Sequence, residues 1–322
     1  MGEEIGQRSG VFTVSATECA DDHARAVGCS YQVAWRINPH MRLGATRPHL
    51  ARRQHAQLVA TLESLGAEVI RLPFVHGAFD SVFTKDSAVL SERNGVRLAM
   101  LSRFGRSERR GEEAARRKHL EALGFSVLDA PPLALEGGDV VPVGDRVLLF
   151  GHGFRSHRAN ASRLEAFLQR EVLVLELTDP WLYHLDTALT SLADGTVICC
   201  REALSAASIK ALERHPAVKE ILFVPHEEAS RFALNVVQIG RTSVSGTVEA
   251  PQMTRLLERC GQRVVSLDLS QFHLAGGSAA CLVGRLHQER RVTTSATTAM
   301  RSTSAYAGLS SSSPKTSGSS SW

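Results

Sequence analysis

Cys281 is the residue of this sequence with the clearest potential for covalent chemistry. It follows a pair of glycines and three small residues in the stretch Gly276-Gly277-Ser278-Ala279-Ala280-Cys281. A thiolate is a strong nucleophile, but a free cysteine is also among the most frequently buried residues. Taken alone, Cys281 is therefore more typical of a core thiol than of a catalyst.

Two further segments contain groups that can activate a cysteine. One is EGGD at 136–139, and the other has His184 and Asp186 two residues apart. A histidine can accept the proton of a thiol and protonate a leaving group, while a carboxylate on its second ring nitrogen fixes the tautomer. Cys281, His184 and Glu136 supply one group of each kind. Because residues i and i+2 of an extended segment point to the same side, we expect His184 and Asp186 to face one cavity.

Additional carboxylates beside such a set favour a cationic substrate. Asp86 lies in the segment VFTKDSAV, and Asp139 and Asp186 are not needed to activate the thiol. A guanidinium is planar and pairs with carboxylates through parallel hydrogen bonds. Each aspartate could instead cap a turn, and His184 could be a buried histidine without a catalytic role. No compact spacing of His, Cys, Asp and Glu supports a metal site, so we expect none.

Five amphipathic segments with similar ends must position these groups. In each, leucines at helical spacing precede a β-branched run, which predicts a helix followed by a strand. The segments are 58–72, 117–130, 162–177, 208–224 and 253–269. Each unit has one helix and roughly three short strands, because further strand candidates lie between the segments. These candidates are 86–91, 96–102, 139–151, 186–192, 196–200, 235–240 and 279–286. Five units around a central cavity fit this pattern, and an irregular α/β domain is the alternative.

The composition excludes several classes of function. Of 322 residues, 43% are hydrophobic and 22% are charged, and the net charge of +4 is spread along the chain, so we expect no nucleic-acid partner. No apolar run reaches about 18 residues and the N-terminus lacks a signal region, so we expect no membrane partner and a cytoplasmic location. Six cysteines, at positions 19, 29, 199, 200, 260 and 281, show no CxxC spacing, and we expect them to be reduced.

The chain is expected to contain one domain with two flanking segments. We place an N-terminal segment at 1–29, the domain at 30–288, and a tail at 289–322. The tail is rich in Ser and Thr and cannot bury enough apolar surface to offset its ordering entropy, so we expect it to be disordered.

The four motifs, taken in order, resemble the guanidino-group-modifying enzyme superfamily. They are FxxD at 83–86, EGGD at 136–139, HxD at 184–186 and the glycine pair that precedes Cys281. The superfamily includes arginine deiminases, dimethylarginine dimethylaminohydrolases and amidinotransferases, and the resemblance extends over residues 31–287. It implies an α/β fold, a five-bladed pseudosymmetric α/β propeller of ββαβ repeats around a central active site.

The resemblance also implies a role for each matching residue. Cys281 would be the nucleophile, His184 the general acid and base, and Glu136 the carboxylate partner of His184. Asp86 and Asp186 would hold the guanidinium. The further substrate-binding candidates are Phe83, Asp139, Arg109 as a ligand of the substrate carboxylate, and Arg155, for which Arg158 is a rival.

These roles predict a cysteine-dependent hydrolase of arginine or a methylated arginine, which releases ammonia or an amine and a ureido product such as citrulline. The animal dimethylargininases have a lysine where this chain has Asp186, a difference that favours free arginine. The expected partner is a small guanidino substrate, no cofactor is expected, and the chain could form a homodimer. Two alternatives stay open: an amidinotransferase that uses an acceptor amine, and a catalytically silent propeller that binds a metabolite.

Overall fold

Short strands alternate with helices in the computed structural model, which describes residues 10–20, 29–145, 147–247 and 249–288. The tail expected at 289–322 lies outside the described residues. The helices are α1 (Pro48–Ser64), α2 (Gly111–Ala122), α3 (Ala161–Leu168), α4 (Leu185–Ala188), α5 (Ala206–Arg214), α6 (His226–Ala229), α7 (Pro251–Arg259) and α8 (Ser270–His273). The strands are β1 (Val11–Ser15), β2 (Glu68–Leu72), β3 (Ala88–Arg93), β4 (Val96–Leu101), β5 (Ser126–Leu128), β6 (Val140–Val143), β7 (Val147–His152), β8 (Glu171–Glu176), β9 (Leu189–Ser191), β10 (Thr196–Cys199), β11 (Glu220–Phe223), β12 (Val236–Ile239), β13 (Thr242–Ser245), β14 (Arg263–Ser266) and β15 (Val283–Gln288).

Five groups of three strands share one pairing pattern, in which an antiparallel pair is extended by a strand parallel to the middle one. Three groups are separate sheets: β6–β7–β8, β9–β10–β11 and β12–β13–β14. The other two, β3–β4–β5 and β15–β1–β2, are joined into one six-stranded sheet by the parallel pairing of β15 with β3. The last described strand therefore completes the group to which the first strand belongs.

The five predicted helix–strand segments are confirmed. α1 leads into β2, α2 into β5, α3 into β8, α5 into β11 and α7 into β14. The apolar faces of these helices are buried, as Leu58 and Leu62 of α1 and Leu212 of α5 illustrate. Burial of one leucine side chain stabilises the fold by about 1.5–3 kcal/mol, so these faces attach the helices to the sheets. The chain has an α/β fold, as expected.

Three strand assignments differ from the sequence expectations. β1 and β13 were not predicted, and β1 lies within the segment 1–29 that was expected outside the domain. Every residue of β1 is buried, so its sequence lacks the alternation of polar and apolar residues that identifies a half-exposed strand. The strand expected from Ala279 begins only at Val283, which leaves Cys281 in a turn before β15.

The expectation that all six cysteines are reduced is wrong for one pair. Cys19 and Cys29 are joined by a disulfide, with their Cα atoms 5.7 Å apart. A bridge between Glu18 and Ser30 brings the two segments together. Whether two cysteines can pair depends on the positions of their Cα and Cβ atoms, which the spacing along the chain does not specify. Cys281 is free.

The buried hydrophobic residues form four clusters. One of these contains Cys281 together with Tyr31, Phe83 and Phe272. The candidate nucleophile therefore borders a well-packed part of the core. Among the helices of the described ranges, none is long and apolar enough to cross a membrane.

Candidate active site

The Cys281 thiol lies buried in the turn that precedes β15, where one asparagine contacts it twice. Asn235 Nδ2 donates a hydrogen bond to Cys281 Sγ at 3.2 Å, and Asn235 Oδ1 accepts one from the Cys281 backbone N at 3.2 Å. Burial raises the pKa of the thiol well above its ordinary value, and the carboxylates of Asp186 and Asp86 raise it further. Cys281 is therefore a neutral thiol at neutral pH.

The paired glycines let this turn pack directly against its neighbours. Gly276 has a φ of +90°, and a Cβ at this position would lie 2.6 Å from the Asn38 side chain. A Cβ on Gly277 would overlap the ring of Phe83. The backbone conformation at position 276 favours glycine, and neither position leaves room for a side chain.

His184 lies between two carboxylates. Its Nε2 is 3.0 Å from Glu136 Oε2, and its Nδ1 is 3.6 Å from Asp86 Oδ1. Burial lowers the pKa of His184, but Asp86 and the hydrogen bond with Glu136 outweigh this effect and raise the pKa to about 9. Burial raises the pKa of Glu136, yet Arg155 and His184 together lower it to about 2. At neutral pH this pair is consequently an imidazolium and a carboxylate.

Asp186 also lies beside the Cys281 thiol. Both of its carboxylate oxygens are 3.9 Å from Cys281 Sγ, and Lys85 Nζ is 3.0 Å from Asp186 Oδ2. Burial raises the pKa of Asp186, and Lys85 opposes that rise. The lysine is therefore the counter-ion of a carboxylate that borders the candidate nucleophile.

The prediction that His184 and Asp186 share one side of an extended segment is wrong. His184 has extended backbone angles, but the next residue begins α4, and Asp186 lies within that helix. The two side chains nevertheless belong to the same cluster, because His184 contacts Asp86 and Asp186 contacts Cys281. A short helix, not a strand, positions them.

Arg109 is buried and already paired with carboxylates. Its Nη1 is 2.6 Å from Asp86 Oδ2, and its Nε and Nη2 donate to the two oxygens of Glu112 at 2.7 and 3.0 Å. Its guanidinium lies over the Phe104 ring, 4.4 Å from the centroid. These contacts orient Asp86, whereas the sequence suggested that Arg109 binds a substrate carboxylate.

Arg155 is the buried member of the two rival arginines, since Arg158 is exposed. Arg155 Nη1 donates to Glu136 Oε2 at 3.3 Å, and its Nη2 donates to the Ile37 carbonyl at 2.9 Å. Its guanidinium lies over the Tyr183 ring, 4.6 Å from the centroid. The side chain thus connects the His184–Glu136 pair to the lining of the cavity.

Asp139 occupies a different position from the one expected of a substrate ligand. Its Oδ1 accepts a hydrogen bond from the backbone N of Leu185 at 3.0 Å, next to His184. Burial raises the pKa of Asp139 to about 7. Asp139 does not line the cavity that borders Cys281. We infer that it positions the start of α4, because its carboxylate caps that helix.

A cavity borders this cluster. Five of the predicted site residues line it, namely Phe83, Asp86, Arg109, Arg155 and Cys281. Glu136, His184, Asp186 and Asp139 are not among its lining residues. The other lining residues are Ile37, Asn38, Met41, Asp80, Tyr183, Ala275, Gly276 and Gly277. The sequence did not identify Asn235, Lys85, Asn38 or Tyr183, because none occupies a position that its motif or its residue type marks as reactive. Lys85 precedes Asp86 directly, and its position beside a candidate carboxylate could have identified it.

Asp86, Glu136 and His184 present donor atoms within 4.8 Å of one another, a spacing that a metal ion could occupy. Two guanidiniums already neutralise the carboxylates, since Arg109 contacts Asp86 at 2.6 Å and Arg155 contacts Glu136 at 3.3 Å. These cations compete with a metal ion for the same oxygens. The arrangement therefore suits proton transfer and recognition of an organic cation better than metal binding.

Proteins similar to this chain include enzymes named for their action on dimethylarginine or arginine. The family model described as "N,N dimethylarginine dimethylhydrolase, eukaryotic" matches residues 43–288. An N(G),N(G)-dimethylarginine dimethylaminohydrolase of Mycobacterium tuberculosis is 31% identical over 258 residues, which cover 80% of this chain and 83% of that protein. The bifunctional arginine dihydrolase/ornithine cyclodeaminase ArgZ of Synechocystis is 31% identical over 273 residues, and the match spans only 37% of ArgZ. The crystal structure of the N-terminal domain of ArgZ with bound product, an arginine dihydrolase from cyanobacteria, has a TM-score of 0.75 at 30% identity and covers 86% of this chain and 97% of that one.

Proposed function

The chain belongs to the N,N dimethylarginine dimethylhydrolase family, and on this premise we propose that it is a cysteine-dependent hydrolase of arginine or a methylated arginine. The observation that carries the proposal is the meeting of Cys281, Asp86, Asp186 and the His184–Glu136 pair beside one cavity. Together these residues supply a nucleophile, a proton carrier and two carboxylates for a cation.

Asp86 and Asp186 would hold the guanidinium next to Cys281. Asp86 Oδ1 is buried and has no hydrogen-bond partner within the described part of the chain, so it is available to a ligand. Asp186 flanks the sulfur at 3.9 Å. A planar guanidinium can donate to both carboxylates with its edge N–H groups, which leaves its carbon open to attack by Sγ.

The bound cation would ionise the nucleophile. The pKa of Cys281 is raised by burial and by the charges of Asp186 and Asp86. A guanidinium between these carboxylates offsets their charge and so favours the thiolate once substrate is in place. The thiol proton passes to solvent, and Sγ forms a bond to the guanidinium carbon.

His184 would carry the proton that the leaving group needs. With its pKa raised to about 9, chiefly by Asp86 and Glu136 against the effect of burial, it is protonated at neutral pH. It protonates the departing nitrogen as the C–N bond breaks, which leaves an amidino thioether on Cys281 and a neutral imidazole. The neutral His184 then takes a proton from water as its oxygen attacks the same carbon. The C–S bond breaks, and the ureido product leaves.

Free arginine is the substrate that we favour. By name, the M. tuberculosis relative acts on dimethylarginine, whereas ArgZ acts on arginine. Asp86 and Asp186 both border the reacting sulfur, and two carboxylates suit a guanidinium with two unsubstituted nitrogens. Each N-methyl group removes an N–H donor, so methylation would leave one of these buried carboxylates less well paired.

The five three-stranded groups would form the blades of a five-bladed α/β propeller of ββαβ repeats. Their common pairing pattern and the position of β15 beside β1 support this arrangement, since a ring of blades is closed by joining the two ends of the chain. The domain would extend from about residue 10 to 288, because β1 precedes the boundary expected at residue 30. The cytoplasmic location and the homodimer remain predictions from the sequence.

Turnover of a panel of guanidino compounds tests the proposed function. The protein is incubated with arginine, monomethylarginine and dimethylarginine, and citrulline, ammonia and the methylamines are quantified. We expect citrulline and ammonia from arginine, together with a transient amidino adduct on Cys281 in the intact-protein mass spectrum.

Two variants make the experiment specific to the active-site thiol. Cys281→Ala should abolish both turnover and adduct, whereas Cys260→Ser, at a free cysteine outside the cluster, should retain both. A product that forms only after an acceptor amine is added would support an amidinotransferase instead. Binding of arginine without turnover or adduct would support the metabolite-binding alternative.

A further inference from the structure

Cys19, Cys29 and His76 form a second cluster of metal-ligating side chains, outside the candidate active site. Their donor atoms lie within 4.8 Å of one another. His76 Nδ1 is 3.0 Å from Cys29 Sγ and 3.7 Å from Cys19 Sγ. The two cysteines are buried and the histidine is exposed. The function proposed above uses none of these residues.

The pairing of two strands brings His76 to Cys19. β1 and β2 are parallel neighbours, with Ser15 opposite Leu72. Cys19 and His76 each follow four residues after this pair, so they leave the sheet side by side. The parallel pairing of β1 with β2 therefore starts the two segments from adjacent positions.

A backbone bridge brings Cys29 to the same place. Glu18 and Ser30 form an antiparallel bridge, and the Cys19 backbone N donates to the Cys29 carbonyl at 3.0 Å. Main-chain contacts, in addition to the disulfide, thus hold Cys29 opposite Cys19. On this basis we expect the three side chains to stay close together after reduction.

We propose that the reduced form of the protein binds one Zn²⁺ ion through Cys19 Sγ, Cys29 Sγ and His76 Nδ1. Two thiolates and an imidazole are typical zinc ligands, with bonds of about 2.3 Å to sulfur and about 2.0 Å to nitrogen. On a tetrahedral ion these bonds separate a sulfur from a nitrogen ligand by about 3.5 Å. In the disulfide form the S···N separations are 3.0 and 3.7 Å, on either side of this value, and the two sulfurs must move apart on reduction before both can bind the ion. A water molecule completes the coordination.

Reduction of the disulfide opens this site. A dithiol reductant supplies two electrons and two protons, the S–S bond breaks, and Cys19 and Cys29 become thiols while the reductant forms its own disulfide. Zn²⁺ then displaces both thiol protons, and His76 binds as a neutral imidazole. Because His76 is exposed, the ion can enter from its side of the cluster.

A bound ion would also stabilise a wall of the candidate active site. It would cross-link Cys19 and Cys29 to the loop that follows β2. Tyr31, two residues beyond Cys29, stacks on Phe272 with ring centroids 4.9 Å apart and meets Phe83 edge-on at 6.3 Å. Phe83 lines the cavity. The cluster therefore anchors residues 29–31, which end at the Tyr31 ring.

Metal titration of the reduced full-length chain tests this proposal. The protein is treated with a phosphine reductant, freed of metal, and titrated with Zn²⁺ and, separately, with Co²⁺. We expect one Zn²⁺ per chain, and with Co²⁺ the visible absorption of a tetrahedral thiolate site. Zinc at about 100 times its Kd should raise the Tm by at most about 5 °C, because the folded site binds the ion more tightly than the unfolded chain does.

Matched variants identify the ligands. His76→Ala changes an exposed side chain and should weaken zinc binding at least tenfold without unfolding the protein, and Cys19→Ser should do the same. Cys260→Ser should bind zinc as the wild type does, and so should Cys281→Ala, which removes the thiol of the candidate active site. Wild-type zinc affinity in both His76→Ala and Cys19→Ser, or no binding of Zn²⁺ by the reduced wild type, would overturn the proposal.

Discussion

Lys85 Nζ lies 3.0 Å from Asp186 Oδ2, inside the cluster that surrounds Cys281. Asp186 is 3.9 Å from Cys281 Sγ, and its negative charge disfavours the thiolate. The positive charge of Lys85 offsets this effect. The backbone joins the same residues, since the Lys85 N donates to the Cys281 carbonyl at 3.2 Å. Lys85 is therefore a positioning residue for Asp186, and through this contact it influences the acidity of the nucleophile.

We expect Lys85→Met to raise the pKa of Cys281 further. The substitution leaves the charge of Asp186 without its counter-ion, and a nearby negative charge disfavours a thiolate. The pH dependence of alkylation by iodoacetamide measures this pKa in the free protein, and its midpoint should move to a higher pH. Lys85→Arg keeps the charge and is the matched control. An identical midpoint in wild type and Lys85→Met would rule out the role assigned to Lys85.

Asn235→Asp should reduce catalysis strongly while preserving the fold. The aspartate keeps an acceptor for the Cys281 backbone N, but it loses the donor that contacts Cys281 Sγ at 3.2 Å and the Asp186 carbonyl at 3.0 Å. A hydrogen bond to a charged group contributes about 1.5–3 kcal/mol, so kcat/KM should fall by about 10- to 150-fold. Steady-state kinetics of Asn235→Asp and of Asn235→Ser provides the test. Wild-type kinetics in the aspartate variant would show that the donor has no role in the reaction.

The stability of the protein should fall as the pH rises from about 6.5 to about 9. Burial lowers the pKa of His184, but Asp86 and Glu136 raise it to about 9, above its ordinary value of 6.5. The imidazolium thus stabilises the folded state by an amount on the order of 3 kcal/mol. The full stabilisation is present at pH values below the pKa of the unfolded chain, and it is lost as the pH rises to the pKa of the folded protein.

Thermal unfolding at pH 6 and pH 10 measures this contribution. We expect the wild type to lose more Tm across this range than His184→Gln, which cannot titrate at this position. His49→Gln, at an exposed position on α1, should behave as the wild type does. If the wild type and His184→Gln lose the same Tm, the raised pKa of His184 is incorrect.

Gly138→Ala should disturb the site with little effect elsewhere. A Cβ at this position would lie 2.7 Å from Asp86 Oδ1 and 2.8 Å from His184 Nδ1, closer than real contacts allow. Because the reacting groups must shift, we expect kcat/KM to fall by about 100-fold. Gly111→Ala is the matched control, since a Cβ there would contact nothing within 4 Å. Equal activity in the two variants would show that the position of the His184–Asp86 pair is not critical.

The sequence by itself determined the succession of elements and most of the candidate groups. Leucine spacing and β-branched runs are local properties, and they predicted the five helix–strand segments correctly. The four motifs named Cys281, His184, Glu136, Asp86 and Asp186, which the fold brings together. Periodicity and motifs are local features of the sequence, so they do not depend on the tertiary structure.

Only the tertiary structure decided which groups are in contact and how acidic they are. Asn235 belongs to no motif and Lys85 occupies a variable position of FxxD, yet both contact the Cys281 cluster, whereas Asp139, expected to bind substrate, instead caps α4. The pairing of Cys19 with Cys29 likewise followed from a backbone bridge. Such contacts depend on strand register and turn geometry, which local periodicity does not encode. The pKa values of His184 and Cys281 depend on burial and neighbouring charges, and these exist only once the chain is folded.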